Sequence, residues 1–257
     1  MKKALMVVSF GTSVAEAETA IHSVENTLKD AFSDHIFVRA FTSRMICRKL
    51  ASEGRPVLSP EEAFEKLASE GAEEVVVQPT HLTPGEEYDK LCRIADQYRS
   101  RFRELRIGRP LISDEQDLLK TAEIIWEKYG TDLKEKEALL LMGHGTTHIA
   151  GMIYGALQTA FRIEGREPVF VGTVEGWPGL EECISQLKKG GYKTVRLAPL
   201  MLVAGDHVRN DMAGDDEDSW KSRLEAEGFE VVCHIEGMGS FAGTASLYLM
   251  HLKQTLE

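Results

Sequence analysis

An internal repeat constrains the fold of this chain more than any other feature of its sequence. Three segments of the first half are similar, in the same order, to three segments of the second half. The matched pairs are residues 4–13 with 138–147, residues 37–42 with 170–175, and residues 75–87 with 195–207. Collinear matches of this kind are typical of a duplicated structural unit. The sequence therefore predicts two lobes of similar structure.

The repeated segments are predicted to be β-strands that alternate with helices. Ala4–Ser9 and Ala138–Met142 are continuously apolar, as is typical of parallel strands covered on both faces. The helices between them supply the crossovers. The predicted fold class is α/β, with two similar lobes, each a parallel sheet flanked by helices. We expect the N-terminal lobe at residues 1–130, the connection at 131–137 and the C-terminal lobe at 138–257.

Composition and charge exclude several classes of protein. The chain has 257 residues, of which 43% are hydrophobic and 28% charged, so it can bury a sizeable core and is not disordered. The net charge of -11 repels nucleic-acid phosphates. No apolar run approaches the ~20 residues of a membrane helix, and the first one is too short for a secretory signal. We therefore expect a cytoplasmic protein with neither a nucleic-acid nor a membrane partner.

The two halves differ at three positions that follow strands. In the matched segments, three residues of the first half are replaced by two histidines and a glutamate in the second: Phe10 by His144, Thr42 by Glu175, and Glu87 by His207. The carboxyl ends of parallel strands meet at one edge of a sheet, where ligands bind. The C-terminal lobe is therefore predicted to carry a site that the N-terminal lobe lacks.

Two imidazoles and a carboxylate suit a borderline divalent metal such as Co²⁺, Ni²⁺, Zn²⁺ or Fe²⁺. If His144 and His207 share a metal, their rings must lie within about 8 Å of each other, because each bond from histidine nitrogen to metal is only ~2.0–2.1 Å long. Gly143 and Gly145 flank His144 and are interpreted as leaving room for a flat ligand beside the backbone. His148 is predicted to be a helix-surface histidine without a role in the site.

A second set of candidate residues lies in the N-terminal lobe. These predicted substrate-binding residues are Ser9, Phe10, Gly11, Thr12, Ser13 and His81. The segment 9–13 links a strand to a helix, so its backbone N–H groups can hold a carboxylate or phosphate, although small residues also serve simply to build a tight turn. His81 follows a strand, where it either lines the site or forms structural hydrogen bonds. Neither GxxxxGK[ST] nor GxGxxG occurs, so nucleotide binding is not predicted.

At these positions the sequence resembles the class II tetrapyrrole chelatases, and among them the sirohydrochlorin cobaltochelatases of anaerobic cobalamin synthesis. The resemblance covers nearly the whole chain. It rests on five segments: residues 9–13 (SFGTS), 78–88 (QPTHLTPGEEY), 143–146 (GHGT), 173–178 (TVEGWP) and 202–211 (LVAGDHVRND). The metal-binding histidines of that family correspond to His144 and His207, and its active-site glutamate corresponds to Glu175.

The resemblance implies a chelatase-like fold and insertion of Co²⁺ into sirohydrochlorin. His144 and His207 would be metal ligands, and Glu175 would bind metal or accept the protons that leave the macrocycle. All three are thus predicted to be catalytic and metal-binding. The reaction needs no organic cofactor, because the divalent metal is itself a substrate. The sequence leaves open whether copies of the chain form a homo-oligomer.

Other functions remain to be tested against this one. A non-catalytic carrier of metal or tetrapyrrole, and a chelatase that prefers iron or nickel, would use the same residues. A phosphoryl-transfer enzyme of the histidine phosphatase type is disfavoured, because that motif has an arginine before the histidine and this chain has Gly143.

Overall fold

Eight strands within the described part of the chain, all in parallel ladders, form the framework of the protein. The computed structural model describes residues 2–257. The strands are β1 (Lys3–Ser9), β2 (Ile36–Phe41), β3 (Glu74–Pro79), β4 (Glu104–Ile107), β5 (Glu137–Gly143), β6 (Val169–Thr173), β7 (Thr194–Leu200) and β8 (Glu230–Cys233). They form two four-stranded sheets of orders β2-β1-β3-β4 and β6-β5-β7-β8. The two orders are equivalent, as a duplicated unit requires.

Helices follow the strands along the chain. They are α1 (Ala15–Ala31), α2 (Arg44–Ser52), α3 (Pro60–Ser69), α4 (Glu86–Tyr98), α5 (Glu115–Tyr129), α6 (Met152–Ile163), α7 (Leu180–Gly190), α8 (Trp220–Ala226) and α9 (Ala242–Leu256). In chain order, α5 comes between the strands of the two sheets and α9 after the last strand. Helix α3 begins with a capping box, in which the Ser59 hydroxyl accepts the Glu62 N–H at 3.2 Å while the Glu62 carboxylate accepts the Ser59 N–H at 2.7 Å. The predicted α/β class, with two similar lobes, is confirmed.

The central strands are buried because helices cover both faces of each sheet. In β1 the residues from Ala4 to Ser9 are buried, and every residue of β5 is buried. Met6 packs in a cluster with Phe64 and Leu91, whereas Leu140 packs in a separate cluster in the second sheet. Burial on both faces explains why these strands are continuous apolar runs instead of alternating polar and apolar residues.

The compact units do not coincide with the predicted lobes. One unit comprises the chain up to Ser113 together with Gly239–Glu257, and the other comprises Asp114–Met238. Helix α5 contacts α6 and so belongs to the second unit, whereas α9 contacts α1, β3 and β4 of the first. The predicted boundary at 131–137 placed α5 in the N-terminal lobe and α9 in the C-terminal lobe. The sequence did not reveal the exchange, because an apolar helix face does not specify which sheet it covers.

The backbone also corrects one of the three sequence matches. In the first unit the Ser43 N–H donates to the Phe10 carbonyl at 3.2 Å, and in the second the Glu175 N–H donates to the His144 carbonyl at 2.7 Å. Ser43, not Thr42, is therefore the counterpart of Glu175. The sequence match of residues 37–42 with 170–175 was one position out of register, because the apolar residues of the two strands resemble one another in either register.

Within residues 2–257, no helix is both long enough and apolar enough to span a membrane.

Candidate functional site

His144 lies directly after β5, the central strand of the second sheet, and its side chain is exposed. The next residue, Gly145, has a φ of 86°, which favours glycine. A Cβ atom on Gly145 would lie 1.9 Å from the Glu175 carbonyl oxygen, so glycine is required for the two strand-end loops to touch. This contact, with the hydrogen bond from Glu175 N to the His144 carbonyl, fixes the position of His144 beside residue 175.

The interpretation that Gly143 and Gly145 leave space for a flat ligand is wrong. A Cβ atom on Gly143 would lie 2.3 Å from Cε1 of Tyr154, so the Tyr154 ring occupies that space. The Gly145 N–H donates to the Tyr154 hydroxyl at 3.2 Å, and burial raises the pKa of this phenol. Both glycines instead allow the loop to pack against the protein itself.

His207 lies beyond β7 and immediately before a π-helical turn at Val208–Met212. Such turns occur often at functional sites. The side chain is 44% exposed, and its Nδ1 atom lies 2.5 Å from Oδ2 of Asp211. Because an ionised carboxylate only accepts hydrogen bonds, this contact keeps the Nδ1 proton on the His207 ring.

The structure brings the two predicted histidines together. The ring centroids of His144 and His207 are 4.8 Å apart and the ring planes are nearly perpendicular, at 89°. The distance is well inside the 8 Å limit that a shared metal sets. His144 Nδ1 donates to the Gly145 carbonyl at 3.0 Å, so both rings use Nδ1 as a donor. In each ring, Nε2 is consequently the nitrogen with a free lone pair for a metal.

Glu175 follows the end of β6, and its side chain is exposed. Across residues 2–257, no three histidine, cysteine, aspartate or glutamate side chains are arranged to hold a metal ion. The Glu175 carboxylate therefore does not complete a three-ligand set with the two imidazoles in this conformation, although its backbone contacts His144. The structure thus brings together two of the three predicted ligands.

His148 precedes a short 3₁₀ turn, so the prediction that it lies on the surface of a helix is wrong. Its Nδ1 accepts the Ala150 N–H at 3.1 Å and thereby caps the short 3₁₀ turn at Ile149–Gly151. This ring thus uses Nδ1 as an acceptor, unlike His144 and His207.

The segment 9–13 of the first unit has mixed exposure. Ser9 is buried and its hydroxyl is hydrogen-bonded to the Thr80 hydroxyl at 2.7 Å, whereas Phe10 is 49% exposed. Gly11 has a φ of 98°, and a Cβ atom there would lie 2.5 Å from the Phe41 ring. Thr12 is buried and accepts the Val14 N–H at 3.2 Å. Ser13 is half-buried. The side chains of Ser9 and Thr12 therefore maintain the turn and do not face solvent.

His81 is partly exposed as a residue, but the polar atoms of its ring are not. Both ring nitrogens are buried, and neither has a hydrogen-bond partner within residues 2–257. Burial lowers the pKa of His81 to about 4, and the carboxylate of Glu87 offsets this only in part. The ring is therefore neutral at pH 7 and is not presented to a ligand in this conformation.

We expect the first unit to lose stability in acid because of His81. The unfolded chain binds a proton at this histidine near pH 6.5, whereas the folded chain does so only near pH 4. The free energy of unfolding therefore falls as the pH drops through this window, by about 3 kcal/mol in total. In urea titrations from pH 7.5 to 4, His81→Phe should flatten this dependence. The control His22→Gln should retain it, and parallel curves for wild type and His81→Phe would refute the assignment.

Comparison with known proteins shows which family the chain resembles. A family model described as Cobalt chelatase (CbiK) matches residues 3–257. The chain is 39% identical to Sirohydrochlorin cobaltochelatase of Salmonella typhimurium over 259 residues, covering 100% of this chain and 97% of that protein. It is 32% identical to Sirohydrochlorin cobaltochelatase CbiKC of Nitratidesulfovibrio vulgaris over 253 residues, covering 98% and 89% respectively.

The fold has a counterpart among solved structures. SirB from Bacillus subtilis with Fe³⁺ aligns with a TM-score of 0.64 at 16% identity, covering 99% of this chain and 96% of that one. At this identity the likeness shows the fold alone. The family model and the two relatives go further, because they match the chain almost from end to end. The chain belongs to the cobalt chelatase (CbiK) family. It is therefore a metal chelatase, and the resemblance found in the sequence is confirmed.

Sequence reasoning missed the contribution of Asp211. Its carboxylate contacts His207 across one turn of backbone, four residues further along the chain. A histidine and an aspartate at this spacing share one face of a helix, which is a signal that the sequence contained. The segment 202–211 includes Asp211, but the resemblance assigns a role in that segment to His207 alone.

Proposed function

We propose that this protein inserts Co²⁺ into sirohydrochlorin in cobalamin biosynthesis, and that it acts in the cytoplasm without an organic cofactor. The observation that carries the proposal is the pair of imidazoles, His144 and His207, whose rings are 4.8 Å apart and whose Nε2 atoms are both free to bind a metal. The names of the two full-length relatives and the family model support the choice of metal and macrocycle.

The two imidazoles suit a metal that must be released again. Neutral nitrogen ligands bind Co²⁺ without neutralising its charge, and a site with only two protein ligands leaves coordination positions for water and for the macrocycle. Both rings are reachable from solvent, since His144 is exposed and His207 is 44% exposed. In the proposed reaction the pyrrole nitrogens of the macrocycle replace the imidazoles at the metal.

Glu175 is proposed to accept protons. Insertion exchanges two N–H protons of the macrocycle for one Co²⁺, so the products are the cobalt complex and two protons. The Glu175 carboxylate is exposed and lies on the loop whose backbone contacts His144. It can take a proton from a pyrrole nitrogen and pass it to water, which lowers the barrier to metal transfer.

Asp211 is proposed to position His207 and to keep Nε2 as its metal-binding atom. Removal of such a partner typically weakens metal binding about 10–100-fold. We expect this loss of Co²⁺ affinity for Asp211→Ala, measured by titration with Co²⁺ alone. Asp211→Asn should lose less, because its amide oxygen still accepts the Nδ1 proton.

The matched control for Asp211 is Asp216→Ala, which removes an exposed acidic residue of the same segment. The KM for sirohydrochlorin and the thermal midpoint should stay near wild type in all three variants. Unchanged Co²⁺ affinity in Asp211→Ala would exclude the positioning role. A fall in the thermal midpoint that accompanies every loss of affinity would assign Asp211 to folding instead.

A direct assay separates this proposal from its alternatives. Purified protein is mixed with sirohydrochlorin and Co²⁺, Fe²⁺ or Ni²⁺ in separate anaerobic reactions, and absorbance follows metallation. We expect the largest acceleration over the metal and macrocycle in buffer with Co²⁺. Faster insertion of iron or nickel would reassign the metal, and binding of both substrates without acceleration would identify a carrier.

A further inference from the structure

Three large apolar side chains are exposed on the segments that follow His144 and Glu175. Ile149 is 72% exposed, Met152 71% and Trp177 72%. We call these three residues the apolar rim. Ile149 and Met152 follow His144 along the chain, and Trp177 lies two residues after Glu175. Large apolar patches on a protein surface commonly mark a place where a ligand or partner binds.

The backbone that carries the apolar rim is held by hydrogen bonds. The N–H and hydroxyl of Thr173 both donate to the Pro178 carbonyl, at 2.8 and 3.0 Å, and so close the loop that carries Trp177. The Gly151 N–H donates to the His148 carbonyl at 2.9 Å in the other loop. The exposed side chains are therefore displayed on ordered segments.

The two loops meet beside the histidine pair. A Cβ atom on Gly176 would lie 3.4 Å from the Thr146 backbone nitrogen, and one on Gly151 would lie 2.9 Å from the Thr146 carbonyl oxygen. Because two residues span at most about 7 Å, Trp177 lies within that distance of Glu175, whose backbone is bonded to His144. The backbone of Trp177 is thus close to that of His144, and the turn that carries Ile149 contacts Thr146, two residues after His144.

The geometry of metal transfer indicates what covers the apolar rim. A metal on the imidazole Nε2 atoms, about 2.0–2.1 Å away, reaches the centre of a macrocycle only if the face of the ring lies against the histidines. The rest of the ring must then cover the loops beside them. We infer that Trp177, with Ile149 and Met152, binds the face of the tetrapyrrole substrate. This inference rests on the proposed function.

The apolar rim and the face of the sirohydrochlorin ring are chemically complementary. The carboxylates of sirohydrochlorin lie at its edge, whereas its flat centre is apolar. The indole of Trp177 offers a flat aromatic face, and offset stacking of aromatic rings adds binding energy beyond the area that it buries. The side chains of Ile149 and Met152 enlarge the apolar area without adding charge that would have to be desolvated.

The test uses metal-free sirohydrochlorin, so that binding is measured apart from insertion. We expect Trp177→Ala to raise the Kd of the macrocycle about tenfold or more, and its KM likewise, with Co²⁺ affinity and thermal midpoint unchanged. Trp177→Phe, which keeps a ring, should lose less. The control is Ile163→Ala at the far end of α6, which removes an apolar side chain that is 81% exposed outside the apolar rim.

The outcomes distinguish this inference from the proposed function. Wild-type Kd and KM in Trp177→Ala, with cobalt insertion intact, would overturn the role of Trp177 and leave the function standing. A changed sedimentation coefficient with unchanged macrocycle affinity would show that the apolar rim binds another copy of the chain instead. If wild type binds the macrocycle but inserts no metal, the function fails, and the Kd of Trp177→Ala still tests the inference.

Discussion

Replacement of His144 or His207 by alanine is expected to reduce the rate of cobalt insertion by more than about 100-fold. Each ring supplies one of the two proposed ligand nitrogens, and the rings are 4.8 Å apart. Loss of a direct ligand should therefore exceed the about 10–100-fold effect of losing a residue that merely orients one. The measurement is the initial rate of metallation at saturating sirohydrochlorin, with Co²⁺ affinity determined in parallel.

The control for both histidine variants is His148→Ala. His148 lies in the same loop as His144 but caps a 3₁₀ turn through Nδ1, so its loss should affect stability slightly and insertion little. Near-normal insertion in both His144→Ala and His207→Ala would overturn the assignment of the site. A large loss in only one of them would mean that the other histidine positions the macrocycle.

Glu175→Gln is expected to slow insertion more strongly than it weakens Co²⁺ binding. The amide keeps the size and shape of the side chain but cannot take up a proton. General acid–base groups typically contribute about 10²–10⁴-fold to rate, and we expect a loss in that range at saturating Co²⁺. Binding should change little, because the carboxylate does not complete a ligand set with the two imidazoles in this structure.

The comparison of two quantities makes the Glu175 experiment decisive. The rate at saturating metal reports the proton-accepting role, and the Kd for Co²⁺ reports ligation. If Glu175→Gln abolishes Co²⁺ binding but retains the wild-type rate at saturating metal, Glu175 is a ligand only. Glu182→Gln, at the start of the following helix α7, removes a carboxylate that accepts the Gly179 N–H and serves as the control.

The fold class followed from the sequence because its main signals are local. Continuous apolar strands such as β1 and β5 indicate parallel sheets, and the repeat indicates two similar sheets. The sequence did not predict that α5 belongs to the second unit and α9 to the first. Tyr248 of α9 donates to the Thr80 and His81 carbonyls of the first unit, and no pattern within α9 itself specifies those partners.

The sequence identified the histidines of the candidate site, but it did not predict how the backbone around them is packed. His144 and His207 stood out because the corresponding positions of the first half are Phe10 and Glu87. The roles of the neighbouring glycines were misread, because a sequence does not show that Glu175 and Tyr154 occupy the space that a side chain would take. The spacing of His207 and Asp211 is visible in the sequence, but the π-helical turn that follows His207 is not revealed by apolar periodicity.

A single-turnover experiment tests the central claim most directly. Protein loaded with one equivalent of Co²⁺ and freed of excess metal is mixed with sirohydrochlorin, and absorbance follows the bound cobalt and the product together. We predict that the signal of histidine-bound cobalt disappears at the rate at which metallated macrocycle appears, faster than cobalt escapes to a chelator. Product that forms only at the escape rate, or bound cobalt that persists while free metal is inserted, would contradict the account.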